Sequence, residues 1–60
     1  MNSEDVKHRI KLLEARHKYQ HTLVEALEAE KAPSTAVNQA KIAKLQLKDE
    51  INTLKKMLGQ

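Results

Sequence analysis

Mostly apolar positions, interrupted by His17, Gln20, Lys31 and Lys44, recur along this chain at alternating intervals of four and three residues. In the first half Val6, Ile10, Leu13, His17, Gln20, Val24, Leu27 and Lys31 fall on that spacing. In the second half Val37, Ala40, Lys44, Leu47, Ile51, Leu54 and Leu58 do the same. A repeat of this kind keeps one stripe of a helix facing a partner helix, which is the seam of a coiled coil. The pattern predicts a helix over 4–31, a turn over 32–34 and a second helix over 35–58. Ser3 is the expected N-cap of the first helix, with Glu4 and Asp5 in the first turn, where the helix dipole favours negative charge. Pro33 stops that helix and biases Ala32 away from helical angles. Ser34 is the expected N-cap of the second helix, with Thr35 as the fallback. Lys55 and Lys56 sit in its last turn, and Gly59 stands where a C-cap glycine belongs.

A connection this short favours an antiparallel hairpin. In such a hairpin the numbers of facing residues add to a constant. Leu27 with Val37, Val24 with Ala40, Gln20 with Lys44, His17 with Leu47, Leu13 with Ile51, Ile10 with Leu54 and Val6 with Leu58 all add to 64. One register therefore satisfies seven layers. It gives a hairpin core of Val6, Ile10, Leu13, His17, Val24, Leu27, Val37, Leu47, Ile51, Leu54 and Leu58, with a polar middle at His17, Gln20 and Lys44. Lys44 is expected to run its methylenes along the seam and release its ammonium to water, and Gln20 to help set register. The turn end is thin because Ala40 and Ala43 are small, which leaves room for Tyr19 or Leu23 to lean in.

The first helix carries a second apolar row, Leu12, Tyr19, Leu23 and Ala26, and the second helix has Ile42 and Leu45 off its seam. Together the rows are wider than a two-helix contact needs. Leu12, Tyr19, Leu23, Ile42 and Leu45 are therefore the candidate interface. The fold class expected is all-α: a two-helix antiparallel coiled-coil hairpin assembling into a four-helix bundle with a second copy.

Size sharpens that expectation. The chain has 60 residues, a length that buries only about 60% of the unfolded surface and usually needs a staple or a partner. There is no Cys, so neither a disulfide nor a thiolate metal site is available, which fits a reducing compartment. No apolar run approaches the ~20 residues of a membrane span, and Met-Asn-Ser-Glu-Asp does not resemble a signal peptide. Cytoplasmic localisation is expected. The net charge is +3 with Lys and Glu interspersed, which permits nucleic-acid binding without indicating it.

Candidate chemistry is sparse. His17 and His21 lie four apart on one face, near Glu14 and Glu25, a spacing that can present two imidazoles to a metal. No third ligand is fixed, so His17 is expected to be hydrogen-bonded within the bundle and His21 solvated, with no metal or other cofactor. Asp49 and Glu50 are adjacent and point about 100° apart on a helix, unsuited to a catalytic dyad. Ser3, Ser34, Thr22, Thr35 and Thr53 have no activating base, and no glycine-rich loop cradles phosphate. A non-enzyme is expected. Lys41, Lys44, Lys48 and Lys55 form a stripe on the second helix that can track phosphates. With no stacking aromatics, and with Asp49 and Glu50 interrupting it, a salt-bridged solvated face is the first reading. Glu50 itself has Gln46 and Leu54 at four residues' distance, so no lysine supports it within its helix.

The stretch Lys44-Leu45-Gln46-Leu47-Lys48-Asp49-Glu50-Ile51 resembles the K-L-x-L-K-D-E-I signature of the YdcH-like family, small bacterial helical-hairpin proteins whose domain has no assigned function. Ile10, Leu13, His17, Val24, Leu27 and Glu28 fall at that family's spacings in the first helix. Gln20 departs, standing where the family prefers Leu. The resemblance spans Ile10 to Leu58 and implies a helical hairpin that oligomerises, with no enzyme activity attached. The function expected is a helical interaction module that self-associates, with a dimer favoured, and docks on a protein partner. The alternative is a nucleic-acid-associated accessory protein using the lysines of the second helix.

Overall fold

A computed structural model describes residues 2–59. It contains α1 (Ser3–Ala29) and α2 (Ser34–Met57), packed against each other as an antiparallel hairpin 43 Å long and 15 by 14 Å across. Among the described residues there is no strand.

The helix ends differ from expectation in ways that local chemistry explains. α1 is capped by Asn2, not Ser3: the Asn2 side-chain oxygen accepts from the Asp5 amide at 2.9 Å, and its carbonyl accepts from the Val6 amide. Asn caps as well as Ser, and this choice moves Ser3 into the first helical position. At the other end α1 stops at Ala29, two residues before Lys31. The Lys31 amide donates to the Glu28 carbonyl and the Ala32 amide to the Leu27 carbonyl. These two bonds make a Schellman motif around a left-handed residue. That residue is Lys31, with φ 55°, where the motif prefers glycine.

α2 begins one residue early. Pro33 (φ −55°, ψ 144°) occupies the cap position, and its carbonyl accepts from the Ala36 and Val37 amides. Ser34 is therefore the first helical residue, not the N-cap, and no side chain caps this end. α2 ends at Met57 with Leu58 as cap, one residue short of the expected end. Gly59 has φ 77° and donates to the Lys56 carbonyl, the role expected of it.

The seam faces inward along its length, with Lys31 the exposed exception. Val6, Ile10, Leu13, Ile51 and Leu54 form the core cluster, and Leu47 and Leu58 pack on it half-buried. Towards the turn the burial thins: Val24 and Ala40 are buried, whereas Leu27 and Val37 are half-buried. Leu23 leans into this end and is half-buried, while Tyr19 stays out.

Ion pairs between the helices bracket the register. Glu14–Lys55 (3.9 Å) and Glu28–Lys41 (3.7 Å) each add to 69, and Arg9–Glu50 (3.3 Å) adds to 59. These are the two rows that flank a seam of constant 64, one on each side. Glu50, without a partner in its own helix, finds one across the hairpin.

Candidate functional site

The flanking rows divide the hairpin into two faces of different chemistry. On one, the positions beside the seam are Arg9, Leu12, Arg16, Tyr19, Leu23 and Ala26 of α1 with Ala36, Ala43, Gln46, Glu50 and Met57 of α2. A shallow groove runs along this face, lined by Leu12, Ala15, Arg16, Tyr19, Gln20, Ala43, Gln46, Leu47 and Glu50. Half-buried Gln20, Ala43 and Leu47 lie at its base, and Arg9 and Glu50 tie one end across it. The exposed apolar side chains here are Leu12 (46%), Tyr19 (66%) and Met57 (63%).

The opposite face is cationic. It presents Lys7, Lys11 and Lys18 of α1 and Lys41, Lys48 and Lys55 of α2, with Lys44 reaching it from the seam, and these outnumber the Glu4, Glu14, Glu25 and Glu28 carboxylates beside them. Lys44 is half-buried, and its ammonium sits 2.8 Å from His21 Nδ1. An ammonium only donates, so His21 accepts there and carries its proton on Nε2. That nitrogen faces Glu25 Oε1 at 3.5 Å. His21 is thus exposed but engaged, a relay between an ammonium and a carboxylate, and not simply solvated.

His17 departs further from expectation. It is half-buried in the seam, and its Nε2 is buried with no hydrogen-bond partner. The reason lies in its layer, because the facing residue is Leu47, which offers neither donor nor acceptor. Among the described residues, no group of three His, Asp or Glu side chains converges in a way that would hold a metal.

The five candidate interface residues do not share one face. Leu12 and Tyr19 lie together on the apolar face. Leu23 is half-buried in the hairpin itself. Leu45 (59% exposed) lines the cationic side beside Lys44 and Lys48, and Ile42 (55%) stands on the outer edge of α2. Met57 was not among the candidates; its heptad position, level with Ala43 and Glu50, was the available signal. The lysine stripe is divided too: Lys55 and Lys41 pair with Glu14 and Glu28, Lys44 meets His21, and Lys48 has no ion pair among the described residues.

No helix of the described residues is long and apolar enough to cross a membrane. Compared with protein-family models, with curated proteins and with solved structures, the chain matches none.

Proposed function

We propose that this hairpin is a non-enzymatic interaction module that pairs with a second copy of itself through the face carrying Leu12 and Tyr19. The observation that carries the reading is the segregation of the two faces. Two copies meeting through their lysine-rich sides would bring like charges together, which opposes association. The other face has small residues at Ala15 and Ala43 that let a second hairpin approach closely, with Leu12, Tyr19 and Met57 beside them to be covered.

The magnitudes favour association. The two longer dimensions of the hairpin bound a face of about 650 Å², near the ~800 Å² per partner of a standard interface. Each large apolar side chain gains roughly 1.5–3 kcal/mol on full burial, and both copies contribute. The opposing loss of translational and rotational freedom is ~4 kcal/mol or more. The product is a two-fold four-helix bundle that leaves its cationic faces outward, available to further protein partners. The resemblance of Lys44–Ile51 to the YdcH-like hairpins supports this reading, and we place the chain with them on that ground.

Light scattering at high micromolar concentration tests the proposal. The wild type should have the mass of a dimer, and Leu12→Glu with Tyr19→Glu should be a helical monomer. Ile42→Glu, on the outer edge, should remain a dimer. A wild type that stays monomeric across the concentration range would sink the reading.

A further inference from the structure

We propose that the cationic face holds a phosphate-binding notch formed by Lys18 and His21 of α1 with Lys44 and Lys48 of α2, and with His17 at its base. This inference does not rest on self-association, since the face is open in one hairpin and stays outward in the proposed dimer.

Three observations converge on the same place. First, His17, Lys18, His21, Lys44 and Lys48 line a shallow cleft between the helices, and the nearest carboxylates, Glu25 and Glu28, line the groove that continues from it towards the turn. Second, the charge on either side of it is neutralised. Towards the open end Glu14 meets Lys55 at 3.9 Å, and towards the turn Glu28 meets Lys41 at 3.7 Å. Glu25, one turn beyond His21, faces that imidazole at 3.5 Å and keeps its charge at the turn-side edge of the cleft. Lys18 and Lys48, which have no ion pair among the described residues, are left together on one cleft mid-hairpin. Third, His17 Nε2 is the buried polar atom without a hydrogen-bond partner among the described residues, and an orphan of this kind calls for an explanation. An imidazole that swings outward towards a phosphate oxygen gains the partner that Leu47 cannot give it.

The ligand class follows from the donors. The ammonium groups of Lys18, Lys44 and Lys48, from two helices, suit a compact, multiply charged oxyanion, with charge-assisted bonds from several sides. The isolation of the notch fits one phosphate group better than a long stretch of nucleic-acid backbone. That group has two sources: a free phosphorylated small molecule, or a single backbone phosphate of a strand lying across the face.

Inorganic phosphate is the first probe, titrated into the full chain at constant ionic strength against chloride, with backbone amide shifts followed by NMR. Saturable shifts centred on His17, Lys18, His21, Lys44 and Lys48 are expected. Lys18→Gln with Lys48→Gln should weaken binding at least about tenfold, as loss of charged hydrogen bonds does. Lys11→Gln with Lys56→Gln removes the same charge elsewhere and should leave it unchanged. Both substituted pairs are exposed, and helical circular dichroism verifies that each variant folds. A short single-stranded RNA is the second probe. Binding through the same residues, with a log–log salt slope near 0.7, would assign the phosphate to a strand; phosphate binding with no RNA binding would assign it to a small molecule. The proposal is overturned if phosphate shifts match those of chloride, if the control pair weakens binding as much as the notch pair, or if RNA shifts the whole face with a slope of several phosphates.

Discussion

At the open end of the hairpin, Val6, Ile10, Leu13, Ile51 and Leu54 form one buried cluster. From His17 to the turn only Val24 and Ala40 reach the same burial. Both halves obey one heptad register, so geometry does not separate them. Side-chain content does. The open end stacks branched aliphatics in consecutive layers, whereas the other half sets His17 against Leu47, Gln20 against Lys44 and Val24 against a mere Ala40. A regular backbone seam thus carries an uneven distribution of stability, and the weaker half is where His21, Lys44 and His17 gather. Functional chemistry commonly sits in such regions, because groups that must meet a ligand are not also committed to packing.

The comparison breaks most directly at Leu13, which is 1% exposed. Leu13→Ala should cost about 2–5 kcal/mol, enough to abolish cooperative unfolding in a domain this small. Leu27→Ala, half-buried near the turn, should cost about 1–2 kcal/mol, since less apolar surface leaves water there. Urea denaturation at fixed protein concentration gives both values. Equal losses would mean that the two ends are equally well packed and that the contrast is false.

His17→Leu probes the polar middle from the other side. It replaces an imidazole whose Nε2 is buried and unpartnered with a side chain suited to Leu47. Removing an unsatisfied buried polar atom is worth about 1–3 kcal/mol, so the variant should be more stable than the wild type. A loss of stability would show that His17 has found a partner and that the middle is already satisfied. The same substitution tests the notch independently, because it should weaken phosphate binding even as it raises stability.

Much of the hairpin was legible in the sequence because its information is periodic. A four-three repeat read in two halves, with a proline between them, specifies two helices, their pairing and their register. What was not legible depends on competition between neighbours. Asn2 and Ser3 are both good caps, and nothing in their types decides which wins. Lys31 continues the heptad spacing, so it reads as helix, yet the turn takes it as a left-handed residue because Pro33 forces the chain out two positions later. Leu12 and Tyr19 occupy heptad positions on one side of the seam, Leu45 lies on the other side and Ile42 outside both, a division that the size of the apolar surplus does not reveal. The Lys44–His21–Glu25 relay needed side-chain geometry, since α2 contributes one member and α1 the other two.

The turn offers a smaller test of the same unevenness. Gly59 takes φ 77° and Lys31 takes φ 55° in equivalent positions after the two helices, but only Gly59 does so without a side chain to crowd the backbone. A left-handed conformation costs an ordinary residue roughly 1–2 kcal/mol, partly offset in glycine by its extra freedom when unfolded. Lys31→Gly should therefore stabilise the hairpin by about 0.5–1 kcal/mol, seen as a higher melting temperature. A neutral or negative result would indicate that the turn end is held less firmly than its hydrogen bonds imply.

The smallest expected effect bears on register alone. Arg9 and Glu50 meet at 3.3 Å across the open end, each with 46% of its side chain exposed. Solvent screens such a pair, so a double-mutant cycle with Arg9→Gln and Glu50→Gln should give a coupling of about 0.2–1 kcal/mol that shrinks as salt is added. The sign matters more than the size. Arg9 and Glu50 are neighbours only if the facing residues add to 64, because a slip of one heptad would carry Glu50 about 10 Å along the helix. Exchanging the charges, Arg9→Glu with Glu50→Arg, should restore most of what either reversal loses alone. If each reversal acts independently and the exchanged pair recovers nothing, the two side chains are not neighbours in solution. The layers that place Leu13 against Ile51 and His17 against Leu47 would then have to be redrawn.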